Sequence, residues 1–349
     1  AVGQNSLVSN TTADNNTAIG TVALAANTTG TNNVAVGKDA LNDNTTASAN
    51  TAIGTGTLSK TITGANNTAV GFASLLVNTA SNNTTVGAYS LCDNTTGASN
   101  TGLGYSSLDS NTEGDNNVAV GADALNKNTT ADNNTAVGMS ALKLNTTGCQ
   151  NVAVGATSLD ANTTGCMNTA IGRSALGANI TGLCNTAVGR TAMELNTTGC
   201  YNVAIGKDTL ASNTTANYNV AVGRNALFKN TTGELNTSIG DSAGKCNTTG
   251  DKNTAIGYSS LYNNTTADNN TAVGYAALLA NTTGTANTAV GTSALKTNVD
   301  GNCNVAIGEG ALELNTGTSN TAVGRNALTA NAAGNQNDAF GRHALDANT

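Results

Sequence analysis

Residue types that commonly carry catalysis or hold metals are sparse in this sequence of 349 residues. The single histidine, His343, lies beside Arg342 near the end of the chain, a poor position for a Ser-His-Asp or Cys-His site. No C-x-x-C pair offers a zinc site, and the aspartates do not follow the G-G-x-G-x-D pattern of calcium-binding repeats. We therefore predict a protein that is not an enzyme and that uses neither a metal nor a cofactor.

Four of the seven cysteines are spaced in a way that suggests pairing. The positions of Cys149 and Cys166 differ by 17, and those of Cys184 and Cys200 differ by 16. If residues at this spacing stack on one another, the paired Cα atoms come within about 5 Å, which is disulfide range. Cys149–Cys166 and Cys184–Cys200 are therefore candidate disulfides if the protein is extracellular. The alternative, which we favour because the other three cysteines have no evident partner, is a set of free thiols at small-residue positions.

The phrase N-T-T recurs along the chain, and each copy is also an N-x-T glycosylation sequon. The candidate acceptors are Asn27, Asn44, Asn128, Asn145 and Asn162. In the alternative interpretation the asparagine serves the turn and points inward. Asparagine persists where the sequon is lost, as at Asn78 and Asn111, and this favours the inward interpretation.

The composition excludes several classes of partner. Only 10% of the residues are charged, the net charge of -7 is spread thinly, and basic residues are not clustered as a nucleic-acid surface requires. No apolar run approaches the length of a membrane-spanning helix. We expect no nucleic-acid partner and no membrane span in this segment.

The cysteine spacing is the period of the whole chain. A glycine that closes A-V-G or A-I-G, or a close variant, recurs from Gly3 to Gly341, and its position advances by 17 in eighteen intervals and by 16 in two. We number repeat positions from this glycine as zero. Asparagine occupies position −4 from Asn16 onward and position +7 with Thr61 as the exception, and leucine occupies +4 with two exceptions. Such phasing indicates a repeat architecture and argues against a disordered chain.

A repeat this short, with one or two bulky residues, cannot bury a core alone, but stacked repeats can. The alternation in N-T-A-V-G is typical of a short strand, and two short strands and two turns account for the unit. We therefore predict an all-β fold, a parallel β-solenoid of about 20 coils with one repeat per coil. Its ladders of stacked identical residues are exemplified by Asn16, Asn33, Asn50, Gly20, Gly37, Gly54, Leu24, Leu41 and Leu58.

The charges separate an outside from an inside. Lysine and arginine recur at +1, as in Lys38 and Arg173, and charged residues avoid the strand and the Ala-Leu pair. Both short repeats lose their residue between the +7 asparagine and the next −4 asparagine, so this segment is expected to be a surface loop. The stripe of Ala, Ser and Gly leaves two interpretations open: tight packing within a thin solenoid, or close contact with another copy.

The phrases N-T-A-V-G, N-V-A-V-G and N-V-A-I-G, for example at Asn33–Gly37 and Asn304–Gly308, resemble the head repeats of trimeric autotransporter adhesins of the YadA-like type. They also resemble N-T-A-V-G arrays of phage tail-fibre-like proteins. The likeness covers the whole chain, although the adhesin unit is shorter by a few residues. It implies a left-handed β-roll, a homotrimer with the small-residue stripe near its threefold axis, and adhesive function. It also implies an extracellular location, at a cell surface or in a virion fibre.

We expect residues 1–349 to be one continuous repeat array and a piece of a longer chain, because the sequence opens and closes in mid-repeat. The favoured function is a structural extracellular rod or fibre, adhesive or filament-forming, that associates with itself as a homotrimer or end to end and contacts a host or matrix surface. The alternative is a binding module for ice or glycans on a monomeric β-solenoid. Regular threonines at −3 suggest ice binding, but valine alternates with them there, which we take to favour an inward position.

Overall fold

The computed structural model describes residues 1–346; the C-terminal part of the predicted array, 347–349, lies outside the described residues. The chain divides into two compact units, Ala1–Ser174 and Ala175–Thr349. Each unit is all-β and is a parallel β-solenoid with one repeat per coil, which confirms the predicted fold class. That the whole chain is one array cut from a longer protein stays a prediction.

Each coil contributes one short strand. The strands of the first unit are β1 (Thr17–Ile19), β2 (Val34–Val36), β3 (Thr51–Ile53), β4 (Thr68–Val70), β5 (Thr84–Val86), β6 (Thr101–Leu103), β7 (Val118–Val120), β8 (Thr135–Val137), β9 (Val152–Val154) and β10 (Thr169–Ile171). Those of the second unit are β11 (Thr186–Val188), β12 (Val203–Ile205), β13 (Val220–Val222), β14 (Thr237–Ile239), β15 (Thr254–Ile256), β16 (Thr271–Val273), β17 (Thr288–Val290), β18 (Val305–Ile307), β19 (Thr321–Val323) and β20 (Asp338–Phe340).

Within each unit every strand pairs in parallel with the next, and equivalent repeat positions face each other. Ala18 pairs with Ala35 in the first unit, and Ala187 pairs with Ala204 in the second. The shorter repeats keep this register, since Thr68 still pairs with Thr84. The missing residue is absorbed in the turn before the strand, as expected of a surface loop.

The expected second strand is not formed, and the backbone conformation explains why. Positions +2, +4 and +12 are left-handed in coil after coil, as at Asp39 (φ 57°), Leu41 (φ 49°) and Asn32 (φ 62°). The left-handed residues at +2 and +4 are separated by a single residue, and such a pair cannot continue an extended strand. The segment after the glycine therefore becomes a tight turn. Its amides still bond to the neighbouring coil, as when Leu41 N–H donates to Thr57 O at 3.0 Å.

The core is thin and consists of leucine and alanine. The central strand residue, such as Ala18, and the +3 and +4 residues, such as Ala23 and Leu24, have no solvent-exposed surface. The strand centre lies directly against the leucine, because a Cβ added at Gly102 would come within 2.7 Å of Leu91 Cδ1. The strand centre is alanine in most coils, and it is threonine at Thr85 and serine at Ser238, both buried.

The two outer strand residues face away from the core, which corrects the inward placement expected for position −3. The threonine or valine at −3 and the valine or isoleucine at −1 are half-buried or exposed, as at Thr17 and Ile19. The small-residue stripe is also placed: its alanines are buried within the single chain. They pack the coil interior and are not surface that a second copy could touch.

The repeat glycine is required by both its backbone angle and its neighbour. Gly54 has φ +139°, and a Cβ there would overlap the carbonyl oxygen of Gly71 in the next coil. Gly56, two residues later, has φ +67° with open space around its Cα. Other coils place residues with side chains at the position of Gly56, such as Asp39 and Ala73.

These two glycines make a matched pair for a stability test. We expect Gly54→Ala to lower the free energy of unfolding by more than about 3 kcal/mol, because backbone atoms of two coils must move apart. Gly56→Ala should cost only about 1 kcal/mol, the penalty of a left-handed alanine. Urea unfolding followed by circular dichroism measures both, and equal losses would contradict the close approach of coils at position zero.

Candidate functional site

The asparagines at +7 form a buried ladder of side-chain amides, as predicted. Asn44 Nδ2 donates to Asn27 Oδ1 of the preceding coil at 2.9 Å and to Ala47 O of its own turn at 3.1 Å. The same pair of bonds recurs at Asn128, which reaches Asn111 Oδ1 at 2.7 Å and Ala131 O at 2.9 Å. Each amide thus links two coils and also closes its own turn.

The asparagines at −4 form a second ladder of a different kind. Asn33 Oδ1 accepts the backbone N–H of Asn50 at 3.0 Å, and Asn33 Nδ2 donates to Ala47 O at 2.9 Å. Asn16 makes the equivalent bonds to Asn33 N–H and Gly30 O. Here the amide satisfies backbone groups at the corner where the chain enters the next strand, so its bonds hold the strand register.

Two further ladders were not predicted. At +8 the threonine hydroxyl donates to the carbonyl of the next +8 residue, as from Thr28 to Thr45 O at 3.0 Å. At +11 a short polar side chain accepts the backbone N–H of the preceding +11 residue, as Asp132 Oδ1 does from Asp115 N–H at 2.7 Å. The signal for the second ladder was the recurrence of Ser, Asp, Asn, Thr and Cys at one phase, which we interpreted only as loop surface.

The +7 ladder is interrupted where the sequence departs from the repeat. In the described part of the chain, the buried side-chain polar atoms without a hydrogen-bond partner are Asn44 Oδ1, Thr61 Oγ1 and Asn298 Oδ1. Thr61 replaces the asparagine that would donate to Asn44. Asn298 precedes the short repeat, in which Asn315 Nδ2 donates to Gly317 O. Both interruptions leave an acceptor unpaired, at a typical cost of about 1–3 kcal/mol each.

The candidate glycosylation acceptors all lie in the +7 ladder. The five side chains have no exposed surface in the folded chain: Asn27, Asn44, Asn128, Asn145 and Asn162. The Nδ2 atoms of Asn27 and Asn145, which would carry the glycan, donate to ladder partners at 2.8–3.0 Å. The asparagines point inward, as the favoured interpretation had it.

The candidate disulfide residues are placed differently from one another. Cys149 Sγ and Cys166 Sγ lie 3.0 Å apart as thiols, and Cys149 N–H donates to Cys166 Sγ at 3.0 Å. The hydrogen bond to Cys166, followed by partial burial, raises the pKa of Cys149. Cys200 Sγ accepts the N–H of Leu183, the residue before Cys184, at 3.2 Å. Cys184–Cys200 pairing therefore stays a prediction without a comparable sulfur contact to support it.

Residues at −1 form a continuous apolar row on the outer face of each unit, which we call the outer row. Its members in the first unit are Ile19, Val36, Ile53, Val70, Val86, Leu103, Val120, Val137, Val154 and Ile171. Its members in the second unit are Val188, Ile205, Val222, Ile239, Ile256, Val273, Val290, Ile307, Val323 and Phe340. Ile19 is 45% exposed, and Ile205 and Ile239 are each 40% exposed.

Position −3 runs beside the outer row on the same face. Thirteen of the twenty strands begin with threonine, six with valine and one, β20, with aspartate. With strands spaced about 4.8 Å apart, ten strands give a face about 40 Å long in each unit. Each unit thus presents an apolar row one residue wide along its sheet.

The remaining candidate chemistry gains no support from the geometry. His343 Nδ1 lies 3.1 Å from Asp346 Oδ2 on the exposed surface. Within residues 1–346, no group of three His, Cys, Asp or Glu side chains is arranged to hold a metal ion. The same range contains no helix with the length and apolar character of a membrane-spanning segment.

No protein-family model matches this chain, and a search of curated proteins also finds no match.

Completing the interrupted +7 ladder should stabilise the protein. In Thr61→Asn the introduced amide can donate to the unpaired Asn44 Oδ1, and we expect a gain of about 1–2 kcal/mol in unfolding free energy. Thr61→Val is the matched control, because it removes the unpaired hydroxyl without adding a donor. Urea unfolding decides between them: a gain in the valine variant equal to that of the asparagine variant would refute the role of the amide.

Cys92 should react slowly with alkylating agents. Burial, with smaller contributions from Asp93 and Asp109, raises the pKa of this thiol to about 11. Relative to a thiol at the reference value of 9.0, it should hold about 100-fold less thiolate at pH 7.5. We expect iodoacetamide labelling, read by peptide mass spectrometry, to lag far behind the exposed Cys303 and to accelerate about tenfold per pH unit up to about pH 10. Equal labelling rates at pH 7.5 would contradict the shift.

Proposed function

We propose that this protein is a structural, non-enzymatic segment of an extracellular rod or fibre that associates with itself, as a homotrimer in the favoured arrangement. The observation that carries the proposal is the outer row, which presents an apolar residue in each coil of both units while the charges lie elsewhere. The uniform ladders fit a structural rod, in which every coil has the same role. Contact with a host or matrix surface belongs to the same proposal.

A second copy is the partner that best fits the outer row. The side chains of the row repeat at the strand spacing, about 4.8 Å, and a partner needs the same repeat to keep contact over many coils. Another copy of this chain has the same repeat, because it has the same sequence. Apolar residues without charges are also typical of the centre of stable homo-oligomer interfaces. Because the alanine stripe is inside the coil, the proposed contact lies on the sheet face instead.

A specific observation also favours the alternative, a monomeric ice-binding module. The threonines at −3 face outward in register, so the objection based on valine at this position is removed. Threonine beside an apolar residue on a sheet with this register offers hydroxyl and methyl groups at regular spacing. This function requires the face to remain uncovered, whereas self-association covers it.

Native mass distinguishes the two functions. Multi-angle light scattering on a sizing column should give three times the single-chain mass of 34.4 kDa. In the double variant Ile205→Lys/Ile239→Lys, two buried charges in the outer row should reduce the mass to that of one chain. Leu195→Lys/Leu235→Lys is the matched control, since these residues are 51% and 49% exposed but lie off the sheet face.

The outcomes separate clearly. A wild-type mass of 34.4 kDa would refute self-association, and thermal hysteresis of that monomer would then establish ice binding. A large polydisperse mass that collapses in the outer-row variant would replace the trimer by a lateral or end-to-end filament. Dissociation of both double variants alike would show that the outer row is not the contact.

A further inference from the structure

The +11 ladder fixes where the side chain of each rung must lie. Glu234 N–H donates to Asp251 Oδ1 of the next coil, and Asp251 N–H donates to Asp268 Oδ1, both at 2.7 Å. Serine accepts in the same way, as when Thr31 N–H donates to Ser48 Oγ at 3.0 Å. In these rungs the acceptor is the first or second heavy atom beyond Cβ. A cysteine in this row can therefore place its sulfur against the preceding coil, as Cys166 and Cys200 do.

Cys149 and Cys166 are consecutive rungs of this ladder, and both are cysteine. Cys166 Sγ accepts the backbone N–H of Cys149, and this bond brings it within 3.0 Å of Cys149 Sγ. Both residues are half-buried, so small reagents can reach them. We propose that Cys149 and Cys166 are a disulfide-forming site, at which a covalent bond joins two adjacent coils along their loop edge.

The ladder also explains why the other cysteines differ. Cys200 is a rung whose neighbours carry no sulfur: it accepts from Leu183 N–H, and its own N–H donates to Asn217 Oδ1 at 2.8 Å. Cys184 lies at +12, one position beyond the row. Cys184 therefore lies outside the row of +11 side chains in which Cys149 and Cys166 meet.

The oxidation is a thiol–disulfide exchange with a small disulfide such as oxidised glutathione. One protein thiol loses its proton to solvent, and its thiolate attacks the glutathione disulfide, forming a mixed disulfide and releasing one glutathione thiolate. The second protein sulfur, as thiolate, attacks the mixed disulfide and expels the second glutathione. Two protein thiols and one oxidised glutathione become one protein disulfide and two reduced glutathione molecules once the protons are returned.

This inference does not depend on the proposed fibre function, because it concerns two coils of one chain. The bond would close a loop of one repeat and leave the +7 and −4 ladders unchanged. It lies in the segment that loses a residue in the short repeats. A covalent link at this edge opposes local opening of the stack.

The test is a titration of the full chain against mixtures of reduced and oxidised glutathione. We expect the thiol count to fall from seven to five in one early step, and tandem mass spectrometry to identify a Cys149–Cys166 cross-linked peptide. Half-oxidation should require a mixture about tenfold more reducing than that for any other cysteine pair. A non-reducing gel should show a single-chain species, because the bond is intramolecular.

Serine variants give controls that should fold, since serine occupies the same row at Ser48 and Ser81. Cys166→Ser should abolish the early step, whereas Cys200→Ser should leave it intact. A Cys184–Cys200 peptide appearing first, an unchanged early step in Cys166→Ser, or a disulfide-linked dimer on the gel would each overturn the proposal. Native mass is measured separately, so failure here and failure of the fibre function remain distinguishable.

Discussion

Hydrogen bonding from one coil to the next is the interaction on which the rest of each unit depends. A single coil buries one leucine and a few alanines, which is too little apolar surface to offset the conformational entropy of ordering a whole repeat. The deficit is covered by repetition: backbone amides all round the coil, and side chains at −4, +7, +8 and +11, bond to the neighbour in identical geometry. Most contacts made by one coil are made again by the next.

The same constraint selects the residue types. At the buried +7 position the stacked side chains bond to one another, so each must be both donor and acceptor, and the asparagine amide satisfies this without charge. At +11, where each side chain accepts a backbone N–H, stacked carboxylates occur, as at Asp115 and Asp132. At +2, +4 and +12, each residue that carries a side chain lowers the free energy of unfolding by about 1–2 kcal/mol, because its backbone is left-handed. They are tolerated because they turn the chain tightly enough to keep all four ladders in line. Gly244 shows the local adjustment: it replaces the leucine in a coil whose strand centre is the larger Ser238.

The period, the solenoid and the +7 and −4 ladders could be predicted from the sequence because they depend only on spacing and on which residue recurs. Which strand residues point toward the core could not be predicted. Alternation in T-A-V shows that two faces differ, but bulk suggests that valine is inside. In the structure the leucine fills the interior, as at Leu91 near Gly102, and the small central residue faces it. The +11 ladder could not be predicted for a related reason. Asp, Ser and Cys differ chemically, but each can accept the same backbone N–H at this position.

The two outward strand positions allow a final argument about what the face is for. Threonine, valine and isoleucine all favour strands, so strand propensity alone would permit threonine equally at −3 and at −1. Position −3 uses threonine in thirteen of twenty strands, whereas position −1 uses only Val, Ile, Leu or Phe. Folding of the single chain does not explain the difference, because neither side chain belongs to the core. Removal of the −1 row from water in the proposed assembly would account for the difference, and it would leave −3 at the margin of the contact, where a hydroxyl can still be hydrated.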